Sequence, residues 1–206
     1  MTVRVLDDAA TGLHLARLRD VETGPEAFQR HAHVVGSLLA AAAVQALPAR
    51  EGTVQTPLGP APTREPANDV VVVPVLRAGL GLLPGVRAIL PTARVGMIGL
   101  RRDHDTHEPE EYYRQVPDVS DSWVFLLEPM LATGGSAAAA VAALLRDGPA
   151  HVTVLSVVAT QQAIDRIIDV SDDVDVVTAA IDPILNDDAY IVPGLGDFGD
   201  RLFGTL

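Results

Sequence analysis

One pattern constrains this chain more than any other: short, almost unbroken apolar runs alternate with stretches of helical character. The runs are Val70–Leu76, residues 94–100, Trp123–Leu127, His151–Ala159 and residues 174–180. A strand covered on both faces reads as a continuous apolar run, whereas a strand with one wet face alternates apolar with polar. Between the runs, residues 82–90, 137–146 and Gln161–Ile168 carry helical spacing, and the joints are short. This alternation predicts an α/β fold with a mostly parallel, doubly wound sheet whose ligand loops lie at the carboxyl ends of the strands. With 48% hydrophobic but only 4% aromatic residues, the core must be built from Val, Leu, Ile and Ala, which suits such a sheet.

The chain reads as a single domain over residues 1–206, with N-terminal helices and an edge segment in 1–68, the α/β core in 69–180 and a loop-rich end in 181–206. Helical spacing recurs over residues 13–19 and 25–47, the second stretch starting on Pro25 and stopping at Pro48. Residues 37–47 are nearly all Leu and Ala, which predicts burial against a partner and offers interface material for a homodimer or larger homo-oligomer. Residues 51–68, rich in Pro, Gly and Thr, predict a strand edge followed by a connecting loop. Residues 101–122 are densely charged, lack apolar periodicity and are long for a plain loop, so they predict a protruding hairpin arm or lid. Tyr112 and Tyr113 inside it read as packing or oligomer contacts.

All 15 basic residues are arginine, and lysine and cysteine are both absent. Without lysine there is no Walker phosphate loop and no Schiff-base chemistry. Without cysteine there is no disulfide framework and no thiolate metal site. The formal charge of −12 argues against a surface that tracks nucleic-acid phosphates. An anionic ligand must instead be held by a few placed arginines, backbone amides or a metal. His104 and His107 are close together, but two histidines without a third ligand make a weak metal site. Residues 1–10 contain no apolar leader and no 18-residue apolar run occurs, so a soluble, cytoplasmic protein with no membrane contact is expected.

The most informative local motif follows the run Trp123–Leu127: an acid, Glu128, then Ala132-Thr133-Gly134-Gly135-Ser136, then a helix. Two adjacent glycines let consecutive N–H groups turn toward one concavity, and the helix behind adds its positive end, so a phosphate can sit there without lysine. A literal Gly-x-Gly-x-x-Gly also occurs, from Gly194 to Gly199, but too little chain follows for the βαβ unit that a dinucleotide fingerprint requires. Those glycines suggest a loop whose bare backbone approaches a ligand.

Three long stretches together resemble uracil phosphoribosyltransferases: residues 73–81, from Val73 through Arg77 to Gly81; residues 128–136; and residues 190–201, from Tyr190 to Arg201. Leu18-Arg19-Asp20 with Glu22-Thr23, Arg102-Asp103, Glu108-Pro109 and Asn186 extend the resemblance over nearly the whole chain. It implies transfer of a phosphoribosyl group from phosphoribosyl pyrophosphate (PRPP) to N1 of uracil, giving UMP and pyrophosphate, with Mg2+ carried mainly by the pyrophosphate and no metal held by the chain itself. By resemblance, PRPP is bound by Arg77, Arg102, Glu128, Pro129, Met130, Leu131, Ala132, Thr133, Gly134, Gly135, Ser136 and Asp197. Arg77 and Arg102 serve the pyrophosphate end, Ala132 to Ser136 cradle the 5-phosphate, and Glu128 meets the ribose hydroxyls. Uracil is read by Ile191, Gly196, Asp197 and Phe198, in the C-terminal base-binding loop. Arg77, Arg102, Glu128 and Asp197 form the implied catalytic set.

The chain departs from the family pattern at several points. Glu128 stands where the family has aspartate, which moves the carboxylate by about 1 Å. Residues 40–46 replace a family stretch containing Arg-Asp, which removes any arginine contact there and counts against GTP as an effector. Thr160-Gln161-Gln162-Ala163 and Pro183-Ile184 replace acidic and glycine-containing loops. Phe198 replaces a small residue, and a ring beside the base would narrow the pocket. These changes leave two rivals to the uracil enzyme: a phosphoribosyltransferase for another pyrimidine-like base, and a catalytically silent PRPP- or nucleotide-binding regulator.

Overall fold

A computed structural model describes residues 2–102, 109–171 and 173–205; His104, His107, Asp103 and Glu108 lie outside the described residues. A nine-stranded sheet forms the centre. Its main path runs β1 (Val3–Val5), β11 (Val174–Ile181), β10 (His151–Ala159), β8 (Trp123–Leu127), β4 (Val70–Leu76), β6 (Met97–Arg102) and β7 (Pro109–Gln115). Every pairing along it is parallel except the last, where β7 folds back antiparallel on β6. β5 (Arg94–Val95) pairs with β4, and β9 (Met130–Leu131) pairs with the end of β10.

The continuous apolar runs are explained by what covers each face. Val70 and Val72, Phe125 and Leu127, and Leu155 and Val157 face one hydrophobic cluster; Val71 and Val73, Val124 and Leu126, and Val152 and Val154 face the other. On the first face lie α1 (Ala9–Arg19), α2 (Pro25–Ala43), α3 (Leu83–Ile89) and α6 (Phe198–Phe203); on the second lie α4 (Gly135–Leu145) and α5 (Gln161–Ile168). Period-two alternation is present but invisible in the letters, because both faces are dry.

Three sequence expectations change. Residues 94–100 form two short strands, because Gly96 interrupts the run while its N–H still reaches Val72 O at 3.0 Å. Residues 51–68 are a hairpin rather than an edge and a loop: β2 (Ala49–Thr56) and β3 (Gly59–Pro66) pair antiparallel along their whole length. Pro60, Pro62 and Pro66 share one parity on β3, so their missing N–H groups fall on the side that has no strand to bond. Finally, much of the Ala-rich half of α2 finds its partner within the chain: Leu39 and Ala40 are fully buried and Ala42 and Ala43 nearly so, beneath the sheet and neighbouring helices. Exposed large apolar side chains are scattered over the surface, among them Leu13, Val21 and Ile184, with Val54 and the 100% exposed Leu58 on the hairpin. No helix among the described residues is long and apolar enough to cross a membrane.

Candidate active site

Three strands deliver the expected residues to one end of the sheet. Arg77 directly follows β4, Glu128 directly follows β8, and β6 ends at Arg102, whose side chain is not among those described. After Glu128 the chain does not turn at once. Pro129 is buried, and its carbonyl accepts the N–H groups of Val157 (2.9 Å) and Val158 (3.1 Å) and the Ser156 hydroxyl (3.0 Å). Pro129 therefore anchors the loop to β10 rather than lining it. Thr160, the N-cap of α5, then donates from its hydroxyl to Ala132 O at 2.6 Å while its N–H reaches Leu131 O.

With its carbonyls engaged in this way, the loop presents its other edge outward. Gly134 adopts φ 75°, and a Cβ there would stand 2.8 Å from both the Cα and the carbonyl oxygen of Ala163, so only glycine fits. Gly135 begins α4, whose first-turn N–H groups have no partner inside the helix. Glu128, Met130, Leu131 and residues 132–137 enclose a cavity of about 130 Å³ at this point. An anion seated there meets converging amides and the positive end of α4.

A second cavity, about 420 Å³, opens beside the first. Ala78, residues 188–191 and residues 196–199 line it, together with Glu128, Met130 and Ala132. Those last three residues form a wall common to both cavities. A larger cleft of about 620 Å³, bounded by Arg50, Glu65, Asp69 and Thr92 among others, sits at the amino ends of the strands and receives none of the residues expected to do chemistry.

Glu128 is the titratable side chain in the shared wall. Burial pushes its carboxyl up to about 8, against a small opposing pull from the Met130 N–H. Between pH 4.5 and 8 the folded chain thus holds a proton that the unfolded chain has released, so raising the pH through that window costs stability. Relative to Glu128→Gln, the natural chain should lose about 1–3 kcal/mol between pH 5 and pH 8, roughly 2–10 °C in Tm once partial exposure is allowed for. Thermal unfolding of both chains at the two pH values measures it; a constant difference between them means that the carboxyl is already ionised at pH 5.

The C-terminal loop is held by Arg19 and Arg201, which the motif reading named without a role, and by Asp182, which it did not name. Asp182, 5% exposed at the end of β11, accepts two 2.7 Å hydrogen bonds from Arg19 and one of 2.8 Å from the Gly194 N–H. Arg19 also donates to Gly194 O at 2.7 Å. Arg201 donates to the carbonyls of Leu18, Leu195 (2.7 Å) and Asp20 (2.6 Å), its guanidinium carbon 4.5 Å from the centre of the Phe28 ring. The end of α1 therefore straps the loop that carries Ile191 and Gly196. Gly194 needs to be glycine, since φ is 54° and a Cβ would meet Ile191 O at 2.0 Å.

The remaining expected residues fall in different places. Asp197 lines the second cavity and caps α6, accepting the Asp200 N–H at 2.8 Å. Arg77 lies beside that cavity, half exposed, and donates to Asp200 at 3.0 Å. Phe198 corrects the sequence expectation: its ring is turned inward, edge-on to Phe28 at 5.1 Å and beneath Gly81, and the residue is 1% exposed. It occupies core volume and leaves the base cavity open. The sequence reading missed the roles of Thr160 and Asp182; the signals that could have found them are a threonine just before a helical stretch and an acid just after an apolar run.

The uracil phosphoribosyltransferase family model matches residues 5–205. The chain belongs to the uracil phosphoribosyltransferase family. Named members include one from Symbiobacterium thermophilum, 42% identical over 205 residues and covering 98% of both chains, and one from Thermus thermophilus, 42% identical over 207 residues and covering 100% of both. Among solved structures, the AQ2163 protein of Aquifex aeolicus superposes with a TM-score of 0.93 at 32% identity, covering 98% of each chain. A hypoxanthine phosphoribosyltransferase from Staphylococcus aureus, at TM-score 0.54 and 11% identity over 76% of each chain, shares the fold alone. The fold is that of the type I phosphoribosyltransferases.

Proposed function

We propose that this protein transfers the 5-phosphoribosyl group of PRPP to N1 of uracil, releasing pyrophosphate and forming UMP. The observation that carries this is the wall shared by the two cavities. A phosphate held at residues 132–137 and a base held against Ile191 and residues 196–198 would lie on either side of Glu128, the separation a ribose must bridge. Cleavage at C1 of the ribose builds positive charge on the ring while the leaving group carries negative charge away; the carboxylate form of Glu128 is assigned to the ring, and Arg77 and Arg102 to the leaving group. Backbone donors and acceptors at Ile191 and residues 196–198 suit the alternating O4, N3–H and O2 edge of uracil.

Among the described residues no three His, Asp or Glu side chains gather to hold a metal. Mg2+ is assigned to the substrate, entering on the pyrophosphate oxygens of PRPP. With the Phe198 ring in the core, crowding no longer argues for a different base. A homodimer or larger homo-oligomer is part of this reading, and a solution mass equal to the single 21.7 kDa chain removes it.

The test is turnover of PRPP and Mg2+ with a panel of pyrimidines, followed as UMP and pyrophosphate. Uracil should be the preferred base. Turnover of another base alone selects the drifted enzyme, and PRPP binding without turnover of any base selects the silent regulator.

A further inference from the structure

The phosphate loop contains no basic side chain, and the chain has no lysine to bring one in. Backbone amides alone would face a doubly charged phosphoryl group, so the position of the nearest cation matters. α5 passes directly behind the loop, with Ala163 against Gly134. One helical turn further on, Arg166 lies over Gly135. Its Nη1, Cζ and Nη2 atoms are 3.4, 3.7 and 3.8 Å from the point where a Gly135 Cβ would stand. Three such similar distances mean that the flat guanidinium covers the face the missing side chain leaves open.

A Cβ stands roughly 2.5 Å from its own backbone nitrogen. Nη1 is therefore no more than about 6 Å from the Gly135 nitrogen, within reach of an anion seated on that N–H by a rotation of the arginine side chain. Arg166 makes no hydrogen bond or ion pair among the described residues. Its neighbour Asp165 is engaged by the Gln161 side chain at 2.8 Å. The guanidinium is exposed and parked beside the loop, with no partner among the described residues.

We propose that Arg166 is a phosphate-binding residue of this site, swinging from Gly135 onto the 5-phosphate of PRPP. The assignment rests on the reading that this loop takes that phosphate. It gives the lysine-free loop its side-chain cation from α5, outside the motif itself. It also separates the two ends of PRPP: Arg166 serves the 5-phosphate, while Arg77 is assigned to the pyrophosphate.

Arg166→Gln tests it, with Arg166→Lys beside it. The position is exposed on a helix, so both variants should unfold within a few degrees of the natural chain. The expected result is a rise of about tenfold in the KM for PRPP and in the inhibition constant of ribose 5-phosphate, with the KM for uracil and the inhibition constant of pyrophosphate unchanged. Arg166→Lys should recover part of the loss, as a point charge without the planar fork. Constants that all stay within twofold in Arg166→Gln, while the natural chain binds ribose 5-phosphate, show a surface arginine merely resting on Gly135 and overturn the proposal alone. Failure of the natural chain to bind either ribose 5-phosphate or PRPP overturns the loop reading and this proposal together.

Discussion

Phe198→Ala should destabilise the protein by about 3–5 kcal/mol, the usual cost of emptying a buried phenylalanine site, and lower Tm by roughly 6–20 °C. The ring fills the space between Phe28, Gly81 and Leu202, and a Cβ on Gly81 would already be within 2.8 Å of it. Phe28 and Leu202 sit on helices and Gly81 in a turn, and that backbone cannot collapse freely into the hole. Turnover of uracil and of 5-substituted uracils at a temperature where the variant is folded should not rise. Thermal unfolding combined with steady-state kinetics decides between a core ring and a pocket ring: a loss below 1 kcal/mol accompanied by faster turnover would put the ring back in the base cavity.

Asp182→Asn should cost about 3 kcal/mol and raise the KM for uracil more than that for PRPP. Removing one partner of a buried pair strands the other charge, and losses of 3–5 kcal/mol are usual. The low end applies because a quarter of the Arg19 side chain remains exposed. Asparagine keeps the shape and one acceptor for the Gly194 N–H, so the effect isolates charge. With the Arg19 clamp weakened, the turn at Gly194 loosens, and Ile191 and Gly196 on either side lose their placement against the base. Denaturant unfolding and the two KM values measure this; equal changes in both KM values would mean that the strap does not act through the base loop. The pair also has a signed pH dependence. Burial alone would raise the Asp182 carboxyl, but the Arg19 and Gly194 hydrogen bonds outweigh it and hold it below the usual value of 3.8. Its contribution is complete above that value and is lost only as pH falls through the lower, folded one.

The core strands and the phosphate loop were legible because their signals are local. A run such as Val70–Leu76 has no reading other than a strand buried on both faces, and Gly134-Gly135 between a strand and a helix can present amides to an anion wherever it occurs. Gly134 then proved to be required on a second count, its contact with Ala163, which no local pattern contains. The β2–β3 hairpin was missed because prolines at 60, 62 and 66 look like strand breakers until one sees that all three face away from the partner strand. Phe198 was misplaced because its position in the motif says which loop it belongs to, not which way χ1 turns it.

The sequence by itself therefore determined the fold class, the loop that can hold a phosphate without lysine, and the family whose three motifs it carries. These depend on residues within about ten positions of one another, or on the order of motifs along the chain. Tertiary structure alone decided that Glu128 forms a wall between two cavities, where burial raises its carboxyl pKa, and that Arg19 and Arg201 bind the two ends of the chain together. It also set Arg166 beside a loop thirty residues earlier in the chain. Burial and charge pairing arise from contacts between distant segments, and a side chain's direction is set by the packing it meets on folding. A linear pattern contains neither.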